Sequence, residues 1–266
     1  MTVATTLLET EADYFLELCN ASAVVTGEKT IGLPLSKHIQ ATYKVISITR
    51  PIRQNETISN EQLSLHTKDG VEDSQAGVLL FTSGTTGSPK GVLHSSKSFY
   101  TGVKNLEKAF DLTEQDLILA YSSIYWIGGL VFLLSTLVAG GCVEECSTVF
   151  NPAWFWERMR TPNVTYVHIA PPLLDKLAEY YDTNIEHGSL DRKAEILGGL
   201  CSIRVLGVGS EFVSQQTLDT WQKLRNGRSL VHIYGTTETH LAAATSWRRT
   251  EPLPAVRILC SQIYID

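Results

Sequence analysis

Positive charge is in short supply in this sequence. Its 266 residues carry 22 Lys and Arg against 28 Asp and Glu, a formal net charge of −6, and the isoelectric point lies near 5.7. That balance argues against nucleic acid or an anionic membrane as the main partner. A disulfide framework is missing too: Cys19, Cys142, Cys146, Cys201 and Cys260 are odd in number and scattered, the pattern of reduced thiols in an intracellular compartment. Cys142 and Cys146 have no His or second Cys pair nearby to complete a zinc site, so they read as packing residues. Met1 to Cys19 carries Glu9, Glu11, Asp13 and Glu17 where a secretory leader would carry basic and then apolar residues. The longest uncharged run, Leu117 to Val143, is broken by Ser122-Ser123, Gly128-Gly129 and Gly140-Gly141. A strand, a turn and a buried helix account for it better than a membrane span. The chain has no internal repeat and no low-complexity tract. A cytoplasmic location is the expectation.

Hydrophobic residues make up 43% and charged residues 19%, enough for a sizeable globular core in one large or two small domains. Helical spacing is expected over residues 6–19, 98–110, 152–160, 173–181 and 214–225, with Ser214 as an N-cap. Short strands are expected at 23–26, 45–48, 142–143, 164–170, 203–206 and 230–233, and residues 50–75 read as a polar surface connection with a turn at Asp69-Gly70. Strands alternating with helices predict an α/β fold, mainly parallel sheets flanked by helices. Such sheets bind ligands at the carboxyl ends of their strands, where Gly207 to Glu211 and Tyr234 to Glu238 fall.

The most informative stretch is Thr82-Ser83-Gly84-Thr85-Thr86-Gly87-Ser88-Pro89-Lys90-Gly91, set between the apolar runs Val78 to Phe81 and Val92-Leu93. Glycines let the backbone approach a ligand, successive N–H groups form an anion-binding concavity, hydroxyls add donors and Lys90 adds a point charge. This is the composition of a polyphosphate cradle. It is not the NTPase P-loop: Pro89 stands where the second Gly belongs, Gly91 replaces the metal-binding hydroxyl, and no helix pattern opens after Lys90. The plainer alternative is a flexible turn with a surface Lys.

A second stretch, Tyr234-Gly235-Thr236-Thr237-Glu238-Thr239, has complementary chemistry. Tyr234 offers a flat face for adenine and Gly235 room beside it; Thr236 and Thr237 can hydrogen-bond phosphate, and Glu238 is a hard oxygen ligand suited to Mg²⁺. Alternatively, Glu238 is a helix-start acid. His94, His168, His232 and His240 show no metal or dyad spacing and read as structural or unassigned.

Together, the decapeptide and the hexapeptide resemble the two signatures of the adenylate-forming (AMP-binding) superfamily, in the acyl-CoA synthetase branch. The likeness covers roughly residues 76–246 and is similar in feel to malonyl-CoA synthetases and fungal acyl-CoA ligases. It implies part of that family's large N-terminal domain. It also implies ATP and Mg²⁺ as cofactors, with coenzyme A and a carboxylic acid as co-substrates, and an acyltransferase or synthase downstream. By resemblance, Thr82, Ser83, Gly84, Thr85, Thr86, Gly87 and Lys90 hold the phosphates, with Gly209, Ser210, Glu211, Tyr234, Gly235, Thr236 and Thr237 around AMP. Lys90, Thr237 and Glu238 carry the reaction, Glu238 holds the metal, and Trp126 in Ser122 to Leu130 gates the acyl pocket. The alternative for Trp126 is a core residue.

The implied chemistry is attack of a carboxylate on the α-phosphate of ATP, giving acyl adenylate and pyrophosphate, then attack of the coenzyme A sulfur on the acyl carbon. The sequence departs from the family after the second signature: no Thr-Gly-Asp follows, and no lysine-bearing mobile domain. The expected organisation is a shortened N-terminal subdomain and connection over 1–75, an AMP-binding core over 76–250 and a divergent tail over 251–266, with a peroxisomal address left open. Three readings follow: an acyl-CoA ligase, a degenerate nucleotide-binding protein without efficient adenylation, or the product of a truncated gene.

Overall fold

The computed structural model describes residues 9–27, 34–48, 73–82, 88–146, 150–246 and 256–258. An N-terminal unit pairs β1 (Val24–Gly27) with β2 (Val45–Ile48) in parallel, flanked by α1 (Glu9–Leu18) and α2 (Pro34–Thr42). Ala12 and Leu16 of α1 bury against Ile39 of α2 to form its small core. An antiparallel hairpin follows, β3 (Ala76–Thr82) against β4 (Lys90–Ser95), with Thr82 opposite Lys90 and Val78 opposite His94.

The main body is a seven-stranded sheet. Its parallel part comprises β5 (Leu117–Ala120), β6 (Cys142–Glu145), β7 (Tyr166–Ile169), β8 (Val205–Gly209) and β9 (Val231–Thr236). Antiparallel strands β10 (His240–Thr245) and β11 (Val256–Ile258) complete one edge, giving the order β11-β10-β9-β8-β7-β5-β6. Helices α3 (Ser96–Ala109) and α4 (Ile127–Val138) cover one face. Helices α5 (Pro152–Arg158), α6 (Pro171–Asn184), α7 (Leu190–Ser202) and α8 (Gln215–Leu224) cover the other. The α/β class with a mainly parallel sheet is therefore as the residue pattern indicates.

Local chemistry explains the helix starts. Ser95, Asn151 and Ser214 each accept a backbone N–H of the first turn, from Ser98, Trp154 and Thr217 respectively. Proline opens α5 and α6, where its missing N–H costs nothing. The uncharged run resolves into β5, a turn and α4; no helix among the described residues is long and apolar enough to cross a membrane. Cys146 is a buried free thiol and Cys142 an exposed one, so packing explains only the first. Spacing does not indicate helices α2 and α7 or strand β10, and Gly207 to Gly209, placed after the strand expected at 203–206, are part of β8. The turn expected at Asp69-Gly70 lies outside the described residues.

The two faces of the sheet are packed differently. On the α5–α8 face, Trp156 and Trp221 stack with centroids 5.9 Å apart, and Trp156 Nε1 donates to Leu177 O at 2.9 Å. Arg225, also buried, donates to the carbonyls of Ile203 at 2.7 Å and Ser229 at 2.8 Å. On the α3–α4 face, Phe110, Phe132 and Tyr166 form the centre, with His168 against Phe132 at 4.9 Å.

Candidate functional site

The described site residues lie at the carboxyl ends of β5, β8 and β9 and, for Thr82 and Lys90, at one end of the β3–β4 hairpin. Thr82 ends β3 and Lys90 begins β4, with the Thr82 hydroxyl donating to Lys90 O at 3.4 Å. Ser83, Gly84, Thr85, Thr86 and Gly87 lie outside the described residues. Lys90 is exposed and makes no ion pair among the described residues. The hairpin is braced on both sides. From α1, Phe15 packs on Phe81 with centroids 4.5 Å apart and the Tyr14 hydroxyl donates to Pro89 O at 3.1 Å. On the other side β4 runs directly into α3 through the Ser95 cap.

Register brings the second group together. Gly209 pairs with Ile233, so Ser210 and Glu211 leave β8 beside Tyr234. Tyr234 is 67% exposed, its ring presented rather than packed. Beyond β9, residues 237–239 form a tight turn into β10, held by Thr236 and Thr239: their hydroxyls lie 3.1 Å apart and Thr236 N donates to Thr239 Oγ1 at 3.1 Å. Glu238 is exposed at the tip of this turn and makes no hydrogen bond among the described residues. It is a hairpin acid, so the helix-start alternative is wrong: β10 follows, leaving no helix dipole for it to meet. Two residues near these strand ends are held in the left-handed region, Ser210 at φ 73° and His240 at φ 56°, a conformation sparse for such side chains.

Glycine serves packing here as well as access. A Cβ on Gly235 would lie 1.9 Å from His240 O, and one on Gly209 2.2 Å from Ile233 O. The room expected beside Gly235 for adenine is therefore taken by the backbone of β10, and the residue is required by strand–strand approach. At the start of α4, Gly129 is similarly close to Ser123 O, at 2.3 Å, while Gly128 faces open space. Trp126 sits at the N-cap of α4, 50% exposed with Tyr125 at 5.5 Å, so packing in the core does not explain it. A small pocket between β5 and α4 is lined by Ala120, Ser122, Gly129, Phe132 and His168, among others. His168 Nδ1 is buried there without a hydrogen-bond partner, and burial pushes its pKa down to about 4.

Spacing in the sequence did not reveal the role of His94. Its Nε2 donates to Thr237 O at 2.8 Å, across 143 residues, and joins the hairpin of the first motif to the turn of the second. Its ring lies 4.3 Å from that of His240, which Phe99 meets at 5.7 Å. Gly102 of α3 makes space for His240, since a Cβ there would come within 2.7 Å of the ring. Burial, then the neighbouring His94, lowers the His240 pKa to about 4, so its ring is neutral at neutral pH.

No group of three or more His, Cys, Asp or Glu side chains is placed to hold a metal among the described residues. Mg²⁺ needs only one or two carboxylates when phosphates and water complete its octahedron, so a single acid such as the exposed Glu238 is compatible with it.

Comparison with known proteins identifies the family and the fold. Residues 1–265 match the family model described as AMP-binding enzyme. Acyl-CoA ligase oryP of Aspergillus oryzae is 27% identical over 231 residues, which cover 87% of this chain and 42% of that protein. The mitochondrial malonate–CoA ligase ACSF3 of Xenopus laevis is 26% identical over 258 residues, covering 93% and 42%. Among solved structures, a malonyl-CoA ligase ternary product complex with methylmalonyl-CoA and AMP bound superposes with a TM-score of 0.72 at 20% identity, over 90% of this chain and 47% of that one. The chain thus spans less than half the length of these relatives.

Proposed function

The chain belongs to the family of AMP-binding enzymes, and from that premise we propose that it forms the nucleotide-binding part of an ATP-dependent acyl-CoA ligase. The observation that carries this reading is the meeting of the two motifs: the hairpin bearing Lys90 and the turn bearing Thr237 and Glu238 are tied by the His94–Thr237 hydrogen bond. The core that does this is residues 76–250, with 1–75 as the preceding subdomain and connection and 251–266 as a tail.

In this reading the segment from Thr82 to Lys90, Ser83 to Gly87 included, encloses the β- and γ-phosphates, and Lys90 neutralises the leaving pyrophosphate. Tyr234 stacks on adenine, with Gly209, Ser210 and Glu211 along its edge and Gly235 and Thr236 as the backbone beneath. Thr237 donates to the α-phosphate, and Glu238 supplies the carboxylate for Mg²⁺, which offsets phosphate charge when bound. A carboxylate oxygen attacks the α-phosphorus, the bond to the bridging oxygen breaks, and the electron pair leaves with pyrophosphate. Coenzyme A sulfur then displaces AMP from the acyl carbon. Trp126 flanks the acyl entrance, its exposed ring covering a chain that enters toward Ala120 and Phe132. The acyl-CoA product suits a downstream acyltransferase or synthase, including one that builds secondary metabolites. A cytoplasmic site of action fits the reduced thiols, with a peroxisomal one also open.

The test is AMP release from ATP, Mg²⁺ and coenzyme A with a panel of monocarboxylic and dicarboxylic acids, followed by mass spectrometry of the thioester. Acid-dependent AMP and acyl-CoA are expected. MgATP binding with no acyl adenylate for any acid would reduce the chain to a nucleotide-binding protein.

A further inference from the structure

Strand β4 carries its residues alternately to two sides. Leu93 faces outward at 64% exposure, whereas His94 is 4% exposed. Lys90, Val92 and His94 therefore share one face, with Lys90 about 13 Å from His94 along the strand. The buried end of that face is the point at which the hairpin touches the β9–β10 turn. A carbonyl can only accept, so His94 Nε2 carries the proton in the 2.8 Å bond to Thr237 O. The ring cannot swing away: His240 lies against it at 4.3 Å and Phe99 at 6.3 Å. His240 in turn is fixed by its left-handed backbone and by the Gly102 notch in α3.

This arrangement resolves a mechanical problem. The hairpin and the sheet share no strand ladder, since among the described residues β3 and β4 pair only with each other. Groups on the hairpin and groups on the turn act on one nucleotide only if their spacing is set. We propose that His94 is the positioning residue that sets it, registering the phosphate-binding hairpin against the Thr237–Glu238 turn so that a triphosphate, but not a monophosphate, senses the link. This rests on the nucleotide site described above.

The distinction between nucleotides makes the test specific. AMP lacks the phosphates that the hairpin would hold, and so engages mainly the β8 and β9 ends. His94→Leu, measured by calorimetry with MgATP and with AMP, is expected to weaken MgATP about tenfold and AMP less than about threefold, the loss expected from one buried acceptor left without its donor. His94→Gln places an amide N–H at similar reach and is expected to restore MgATP affinity to within about threefold of the parent. His94→Met, near in volume and without a donor, substitutes for the leucine variant should that one fail to fold. Equal weakening of both nucleotides, a glutamine variant as weak as the leucine one, or unchanged MgATP affinity in the folded leucine or methionine variant would each overturn the inference. Absence of MgATP binding by the parent chain would instead contradict the nucleotide site itself, and this inference with it.

Discussion

The two faces of the main sheet differ in which polar atoms they leave unsatisfied. On the α5–α8 side, large apolar residues interlock around Trp156 and Trp221, and Arg225 donates to two carbonyls, while Trp221 Nε1 and Arg225 Nε are buried without partners. On the α3–α4 side, Tyr166 Oη, His168 Nδ1 and His240 Nε2 are buried without partners. Left-handed Ser210 and His240 cluster near the strand ends. Both faces keep unpartnered polar atoms, but on the α3–α4 face two of them are histidine nitrogens, and the left-handed residues lie at its strand ends. The nucleotide site proposed above lies at the strand ends beside that face.

Substitution on the packed face has the largest expected effect. Trp221→Ala removes a fully buried ring and is expected to cost about 3–5 kcal/mol, read by denaturant unfolding. Its MgATP affinity at low temperature, where the variant stays folded, should match the parent. A large loss of affinity there would break the division between faces.

Acid should act through the opposite face. His168 and His240 are each held to about 4 when folded and return to about 6.5 when unfolded. Between those values the unfolded state binds more protons, so their stabilisation is complete above pH 6.5, falls as pH drops and levels off below about 4. Each contributes about 2 kcal/mol of lost stability between pH 7 and pH 5. Urea midpoints at both pH values test this, and His168→Phe should remove its share of the slope.

Lys90→Ala gives the smallest change in the fold and a selective one in binding. The side chain is exposed, so stability should move by no more than about 0.5 kcal/mol while MgATP affinity falls about tenfold. Calorimetric titration and thermal denaturation, run together, separate the two.

Much of this architecture was legible from the residues. The decapeptide announced a loop between two strands, and Thr82 and Lys90 do face each other across a hairpin. Ser214 caps α8 as its spacing indicated. What escaped notice depended on partners distant in sequence. Strand β10, His-Leu-Ala-Ala-Ala-Thr, has little intrinsic strand preference and exists because it pairs with β9. Gly235 is explained only by the His240 carbonyl that β10 brings to it. His94 looked like an isolated histidine because its acceptor lies 143 residues away. Helix α7 was obscured by Gly198-Gly199, of which Gly199 is required by Met159 O at 1.6 Å from its notional Cβ.

Amide hydrogen exchange with and without saturating MgATP tests the central claim, that one face and one set of strand ends form the site. Slowed exchange is expected in residues 90–95, 205–212 and 231–241, with α5 to α8 unchanged. Protection confined to α5 to α8, or none anywhere, would contradict it.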